Sequence, residues 1–246
     1  MFNFSNLTIE LILGIGLILA MLAWNAWTEK ADRAAVLDAA RPDARLQLYN
    51  NTILTLWLVT LACTALWVVS GSPLRELGLR PGQGWRFWLS WSVVALAAAY
   101  MIISLLQVRF SRKARTAMRQ QLGQAGDLGL IHPETPREHA RFTWLAITAG
   151  ITEEVLFRGF LIGALALVFP PWLAAIFAAG LFVLGHAYQG LCGMMRTLPI
   201  TLILTLVYVV GDSLWPAIAL HILCDVAAGV LFRVSDHHES ADAAAA

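Results

Sequence analysis

The chain reads as an all-α protein, a polytopic transmembrane helical bundle of about seven spans, each needing roughly 20 apolar residues to cross a hydrocarbon core about 30 Å thick. Three observations predict this. Of 246 residues, 59% are hydrophobic and only 13% charged, with a mean hydropathy of +0.67. Apolar windows of spanning length recur along most of the sequence, and Lys and Arg fall almost wholly in the segments between them. Such a composition lies far from that of a soluble globular domain. A net charge of +1 singles out no anionic partner and gives no sign of nucleic-acid binding. Cys63, Cys192 and Cys224 stand at unrelated spacings that suggest neither a disulfide framework nor a cysteine metal site.

The first span covers about Leu7 to Trp27; no Lys or Arg precedes it, so it reads as a retained helix rather than a cleaved signal, with Trp24 and Trp27 at an interface. Glu29 to Asn50 mixes acids and bases and is expected as a surface helix or loop. The second span, about Asn51 to Ser70, is closed by Gly71-Ser72-Pro73. The third covers about Phe87 to Val108. After it comes the most basic connection, Arg109 to Arg141, with Arg112, Lys113, Arg115, Arg119 and Arg137 between. That is a cytoplasmic signature, expected as a solvated surface segment able to meet anionic lipid heads.

The fourth span, about Thr143 to Val168, is cut off by Phe169-Pro170-Pro171. The fifth runs from about Trp172 to Tyr188. The sixth, about Leu198 to Val210, is short unless it recruits residues such as Met194 and Met195, and the seventh covers about Leu214 to Phe232. The organisation expected is a three-span region with a basic loop (1–142), a helical core (143–233) and a disordered tail (234–246). Thirteen Lys and Arg fall on one side of these crossings and three on the other. This predicts an integral protein of the cell (inner) membrane, its N-terminus outside and its C-terminus cytoplasmic.

The fourth span carries Glu153, Glu154 and Arg158 in an apolar setting, where each charge costs roughly 2.5 to 3.5 kcal/mol at a helix centre on insertion scales. Glu154 and Arg158 stand one turn apart in the favourable order for an ion pair. Glu153 has no base three or four positions away and is the uncommitted carboxylate. The fifth span adds His186; the seventh adds His221 and Asp225, four apart on one face, so that the carboxylate could orient the imidazole or both could address one bound atom. Gathered around one water, these groups suit hydrolysis, with a desolvated carboxylate as base. Counted along ideal helices, however, Glu153 lies near mid-membrane, His186 nearer one face and His221 nearer the other, so convergence calls for a fifth helix reaching Leu191 and a seventh beginning deeper. His132, His139, His237 and His238 lie in polar segments and read as solvated. No HExxH, GxSxG or Walker pattern occurs.

Glu153-Glu154-x-x-x-Arg158, Phe182-x-x-x-His186 and His221-x-x-x-Asp225, together with E-E-V-L-F-R-G-F and G-D-S-L-W-P-A-I-A-L-H, resemble the three motifs of the CPBP intramembrane proteases. That family includes the CAAX prenyl endopeptidases and the Abi-type bacteriocin-processing and immunity proteins. The resemblance covers about Thr143 to Phe232. It implies an intramembrane endopeptidase acting on membrane-associated peptides, prenylated CAAX-type or leader-type. Glu153 and His186 would activate water, His221 with residue 225 would stabilise the oxyanion, and Glu154 and Arg158 would support the site. It leaves open whether a divalent metal such as zinc takes part or the mechanism is glutamate-dependent without one. Asp225 departs from the Asn of the prenyl endopeptidases. An ionised Asp only accepts hydrogen bonds, so it must be protonated, act through His221 or ligate a cation. The rival expectations are a non-catalytic membrane immunity or scaffold protein of the same fold, and an ion or proton transporter, which lacks support from any internal repeat.

Overall fold

Apolar runs separated by Gly-Pro turns and charged connections fold as helices, because in hydrocarbon a chain must satisfy its backbone groups within each segment. The computed structural model describes residues 7–123 and 129–244; the side chains of Arg119, of residues 121–123 and of residues 235–244 are outside the description, His237 and His238 among them. Its order is α1 (Ile9–Leu37), α2 (Ala44–Val69), α3 (Gly84–Phe110), α4 (Arg112–Gly123), α5 (Pro136–Glu153), a π-helix (Glu154–Leu161), α6 (Ile162–Ala166), α7 (Pro171–Gly185), α8 (Gly190–Gly211) and α9 (Leu214–Ala244). Short 3₁₀ turns lie at Leu74–Leu77 and Ala187–Gln189. No strand occurs among the described residues.

The protein is an all-helical integral membrane protein, but about seven spans is only an approximate count. Five helices are long and apolar enough to cross: Ile9–Leu37, Ala44–Val69, Gly84–Phe110, Ala187–Gly211 and Leu214–Val234. The expected fourth span is built from α5, the π-helix and α6 in series. The expected fifth is the 15-residue α7, about 22 Å long at 1.5 Å per residue and so shorter than the bilayer core. Two boundaries also move. Residues 29–37, expected in a surface segment, continue α1, where Glu29 and Arg33 pair at 2.8 Å. The sixth span starts at Gly190 and does take in Met194 and Met195. The helical backbone of α9 runs on to Ala244.

The start of α5 is fixed by chemistry that the basic connection conceals. Thr135 and Glu138 form a reciprocal capping box, with Pro136 in the first turn. The Glu138 carboxylate also accepts from Glu134 N at 2.7 Å and from Arg45 Nη1 of α2 at 3.1 Å. Burial acts to raise the Glu138 pKa, but these backbone N–H groups and the guanidinium outweigh it and hold the carboxyl below its ordinary value.

From that anchor α5 crosses α9 and α2, while α1, α2, the π-helix and α7 share one apolar core built on Ile18, Leu56, Trp67, Leu156, Phe160 and Ala178. The α5–α9 crossing turns on Gly150. A Cβ there would stand 2.8 Å from the backbone nitrogen of Ile222 and closer still to its side chain. Glu153 lies one turn after Gly150, and His221 adjoins Ile222, so this contact sets the distance between the two. Gly150→Val is expected to force the helices apart at a cost of about 1–3 kcal/mol, the usual range for overpacking. Thermal unfolding in detergent should show a lowered Tm, and an unchanged Tm would refute the close contact.

Candidate active site

The eight residues of the π-helix, Glu154 to Leu161, are all buried. A helix burying every side must satisfy its charged members internally, and Glu154 and Arg158, 0% and 1% exposed, do so. Arg158 Nη1 donates to Glu154 Oε1 at 2.9 Å, and Nη2 reaches the carbonyl of Thr201 in α8 at 3.4 Å. The guanidinium carbon lies 4.2 Å from the centre of the Phe182 ring, a cation–π contact. Gly159 gives the wide turn room: a Cβ would come within 2.7 Å of the Leu77 carbonyl. π-Helical turns are rare and concentrate at functional sites.

His221 of α9 sits against this pair. Its Nδ1 is 2.8 Å from Glu154 Oε1. Its Nε2 faces two further carboxylates, Asp225 Oδ2 at 3.5 Å and Glu153 Oε2 at 3.8 Å. The partner closest to His221 is therefore Glu154, whereas the four-residue spacing in the sequence points to Asp225. Glu154 Oε1 thus serves Arg158 and His221 together, and Glu154 Oε2, also buried, has no hydrogen-bond partner among the described residues.

His186 is the C-cap of α7, and its Nδ1 lies 2.9 Å from the Phe182 carbonyl. Donation from Nδ1–H to that carbonyl leaves Nε2 as the free acceptor. The Phe182 ring joins the two histidines, 4.7 Å from His186 and 5.9 Å from His221 between centroids. Convergence is thus reached by the opposite route to the one the helix count suggests. The fifth helix is shorter, not longer, and ends beside the site instead of passing it.

A cavity of about 500 Å³ opens on this cluster. Glu153, His186 and Asp225 line it; Glu154, Arg158 and His221 are not on its wall and form the layer behind. The sequence-predicted residues therefore divide into three that line the cavity and three that lie behind it. The wall also includes Glu29 and Asp32 of α1 and Tyr188 and Gln189 of the 3₁₀ turn, none of them singled out in the sequence. The signal for the first two was hidden by reading residues 29–50 as a surface segment. For Tyr188 the only hint was its place two residues after His186.

Among the described residues no group of three or more His, Cys, Asp or Glu side chains is gathered as a metal's ligands are. The contact of His221 Nδ1 with Glu154 leaves Nε2 as the ring nitrogen turned toward Glu153 and Asp225.

Residues 136–227 match the family model described as type II CAAX prenyl endopeptidase, Rce1-like. Comparisons with curated proteins and with solved structures return no match. The matched segment contains all six sequence-predicted site residues and leaves α1 to α4 outside it.

Proposed function

Taking the chain as a member of the CAAX protease family through residues 136–227, we propose that it is an intramembrane endopeptidase in which Glu153 activates water against a peptide bond of a membrane-associated substrate. One observation carries the reading: Glu153 lies on the cavity wall 3.8 Å from His221 Nε2, beside the buried cluster yet outside hydrogen-bonding distance of it, while its neighbour Glu154 is tied up by Arg158 and His221. The helix separates them into a base left free and a group held fixed.

Water enters the cavity and is oriented by donating to His186 Nε2. Its oxygen attacks the scissile carbonyl carbon, the C=O π pair moves onto the carbonyl oxygen, and the proton released from water passes to Glu153. His221, behind the wall, holds Asp225 and Glu153 in place beside the attack position through its Nε2. Collapse re-forms the carbonyl, breaks the C–N bond and returns the proton from Glu153 to the departing amine. Acid and amine products leave and Glu153 is again a carboxylate. Every step uses the side chains described above, and none passes through a metal.

We place the protein in the cell membrane with its C-terminus cytoplasmic, so that the Arg109–Arg141 connection meets the same leaflet as peripheral, lipid-modified substrates. The test is purified protein in liposomes incubated with a prenylated CAAX-type peptide, its unprenylated counterpart and a leader-type peptide, with products read by mass spectrometry. Cleavage of the prenylated peptide that persists after a chelator such as phenanthroline is the expected result. Loss of cleavage on chelation, restored by zinc, would replace glutamate-only catalysis by a metal mechanism. Cleavage of none of the peptides would leave the scaffold or immunity reading in its place.

A further inference from the structure

Resting on that peptidase reading, we propose that Tyr188 is a further catalytic residue, its phenolic O–H the neutral hydrogen-bond donor to the scissile carbonyl oxygen as that oxygen becomes an oxyanion.

The reacting centre is rich in acceptors. Glu153 and Asp225 are carboxylates on the cavity wall, and an ionised carboxylate only accepts. His186 offers Nε2 as an acceptor because its Nδ1 is turned to the Phe182 carbonyl. His221 Nε2 lies between Glu153 and Asp225, and the ring is behind the wall. A developing oxyanion next to these groups needs a donor aimed into the cavity that carries no negative charge of its own.

Tyr188 meets that need from three sides. Its side chain lines the cavity with Glu153, His186 and Asp225, and lies within electrostatic reach of both carboxylates. The ring stacks on His186, with centroids 6.0 Å apart and planes inclined by 30°. The phenolic oxygen accepts from Gln189 Nε2 at 2.9 Å. The acceptor side of the hydroxyl is therefore occupied, and no described residue receives its proton, which is left to donate to whatever the cavity holds. Tyr49, the other phenol on the wall, is already committed, donating to the Ile131 carbonyl at 2.8 Å.

The turn that carries Tyr188 is clamped from outside the family-matched segment. Arg33 Nη2 of α1 donates to the Tyr188 carbonyl at 3.0 Å, and Arg33 itself donates through Nε and Nη2 to Glu29 at 3.0 and 2.8 Å. One charge-assisted bond thus holds the backbone from which the phenol projects, given by a guanidinium that Glu29 fixes in turn. Rigid placement is what an oxyanion donor requires, because its value lies in being aligned before charge develops.

The experiment compares wild type, Glu153→Gln, Tyr188→Phe and protein with O-methyltyrosine incorporated at position 188, all in liposomes with the peptide that the wild type cleaves. Phenylalanine keeps the ring on His186 and loses the hydroxyl; O-methyltyrosine keeps ring and oxygen and carries a methyl group in place of the proton. Both are expected to lower kcat by about 10²-fold or more, as removal of a single oxyanion donor does, with KM near that of the wild type. Should Tyr188→Phe fail to fold, as judged by size exclusion and Tm, the O-methyl protein decides alone. Wild-type kcat in a folded variant, or a loss confined to KM, overturns the assignment while leaving the peptidase reading intact. Absence of any Glu153-dependent cleavage by the wild type brings down both.

Discussion

Glu153→Gln is expected to abolish peptide cleavage while leaving the fold unchanged. Glutamine keeps the volume and polarity of the side chain but takes up no proton from water, so the variant loses general-base catalysis, commonly a factor of about 10²–10⁴. Stability should be unaffected, because Glu153 makes no hydrogen bond to His221 and is partly exposed on the cavity wall, in contrast to Glu154 behind it. Turnover of the liposome-bound protein, with Tm in detergent as control, checks both halves. A glutamine variant that retains full cleavage removes Glu153 from the mechanism. One that retains a biological phenotype without any cleavage returns the protein to the scaffold class, and ion flux through empty liposomes would mark a transporter.

Arg158→Met is expected to act on the fold itself. Arg158 and Glu154 are fully buried, and removal of one partner of a buried ion pair leaves the other charge uncompensated, at about 3–5 kcal/mol. Glu154 would keep only His221, through the same Oε1, with Oε2 still unpartnered. The variant should unfold at markedly lower temperature and lose activity, since His221 takes its orientation from Glu154. The double variant Glu154→Gln with Arg158→Met, which removes both charges, should recover much of the Tm but not the turnover. If the single and double variants are equally unstable, the packing of the π-helix and not the charge pair is what Arg158 supports. Arg158→Lys should fall between, because an ammonium cannot reach Glu154 and Thr201 as a fork does.

Much of this architecture was legible from residue pattern. The Glu154–Arg158 pair followed from its spacing, and the gathering of Glu153, His186, His221 and Asp225 followed from the cost of scattering charges in hydrocarbon. What the pattern could not carry was geometry that departs from the ideal helix. Eight residues of i→i+5 hydrogen bonding look like any apolar helix in a linear text. Spans drawn as uniform helices therefore ran on past His186, which caps the 15-residue α7. The partner of His221 was hidden for a related reason: Asp225 is its neighbour in sequence, while Glu154, sixty-seven positions away, is its neighbour in space. The polar residues after Trp27 were equally opaque, since charge at the end of an apolar run reads as exit into water, whereas Glu29 and Asp32 continue α1 along the chamber wall.

The bond from Arg33 to the Tyr188 carbonyl makes the working unit larger than the unit of recognisable ancestry. A fragment trimmed to the matched stretch would keep the whole set of motif residues yet lose one side of the reaction chamber, where Met21, Asn25 and Asp32 stand. Its reactive groups would then lie uncovered on that side. Truncations that look conservative on a motif map should accordingly be inert, and restoring α1 as a separate peptide is the complementation to attempt first.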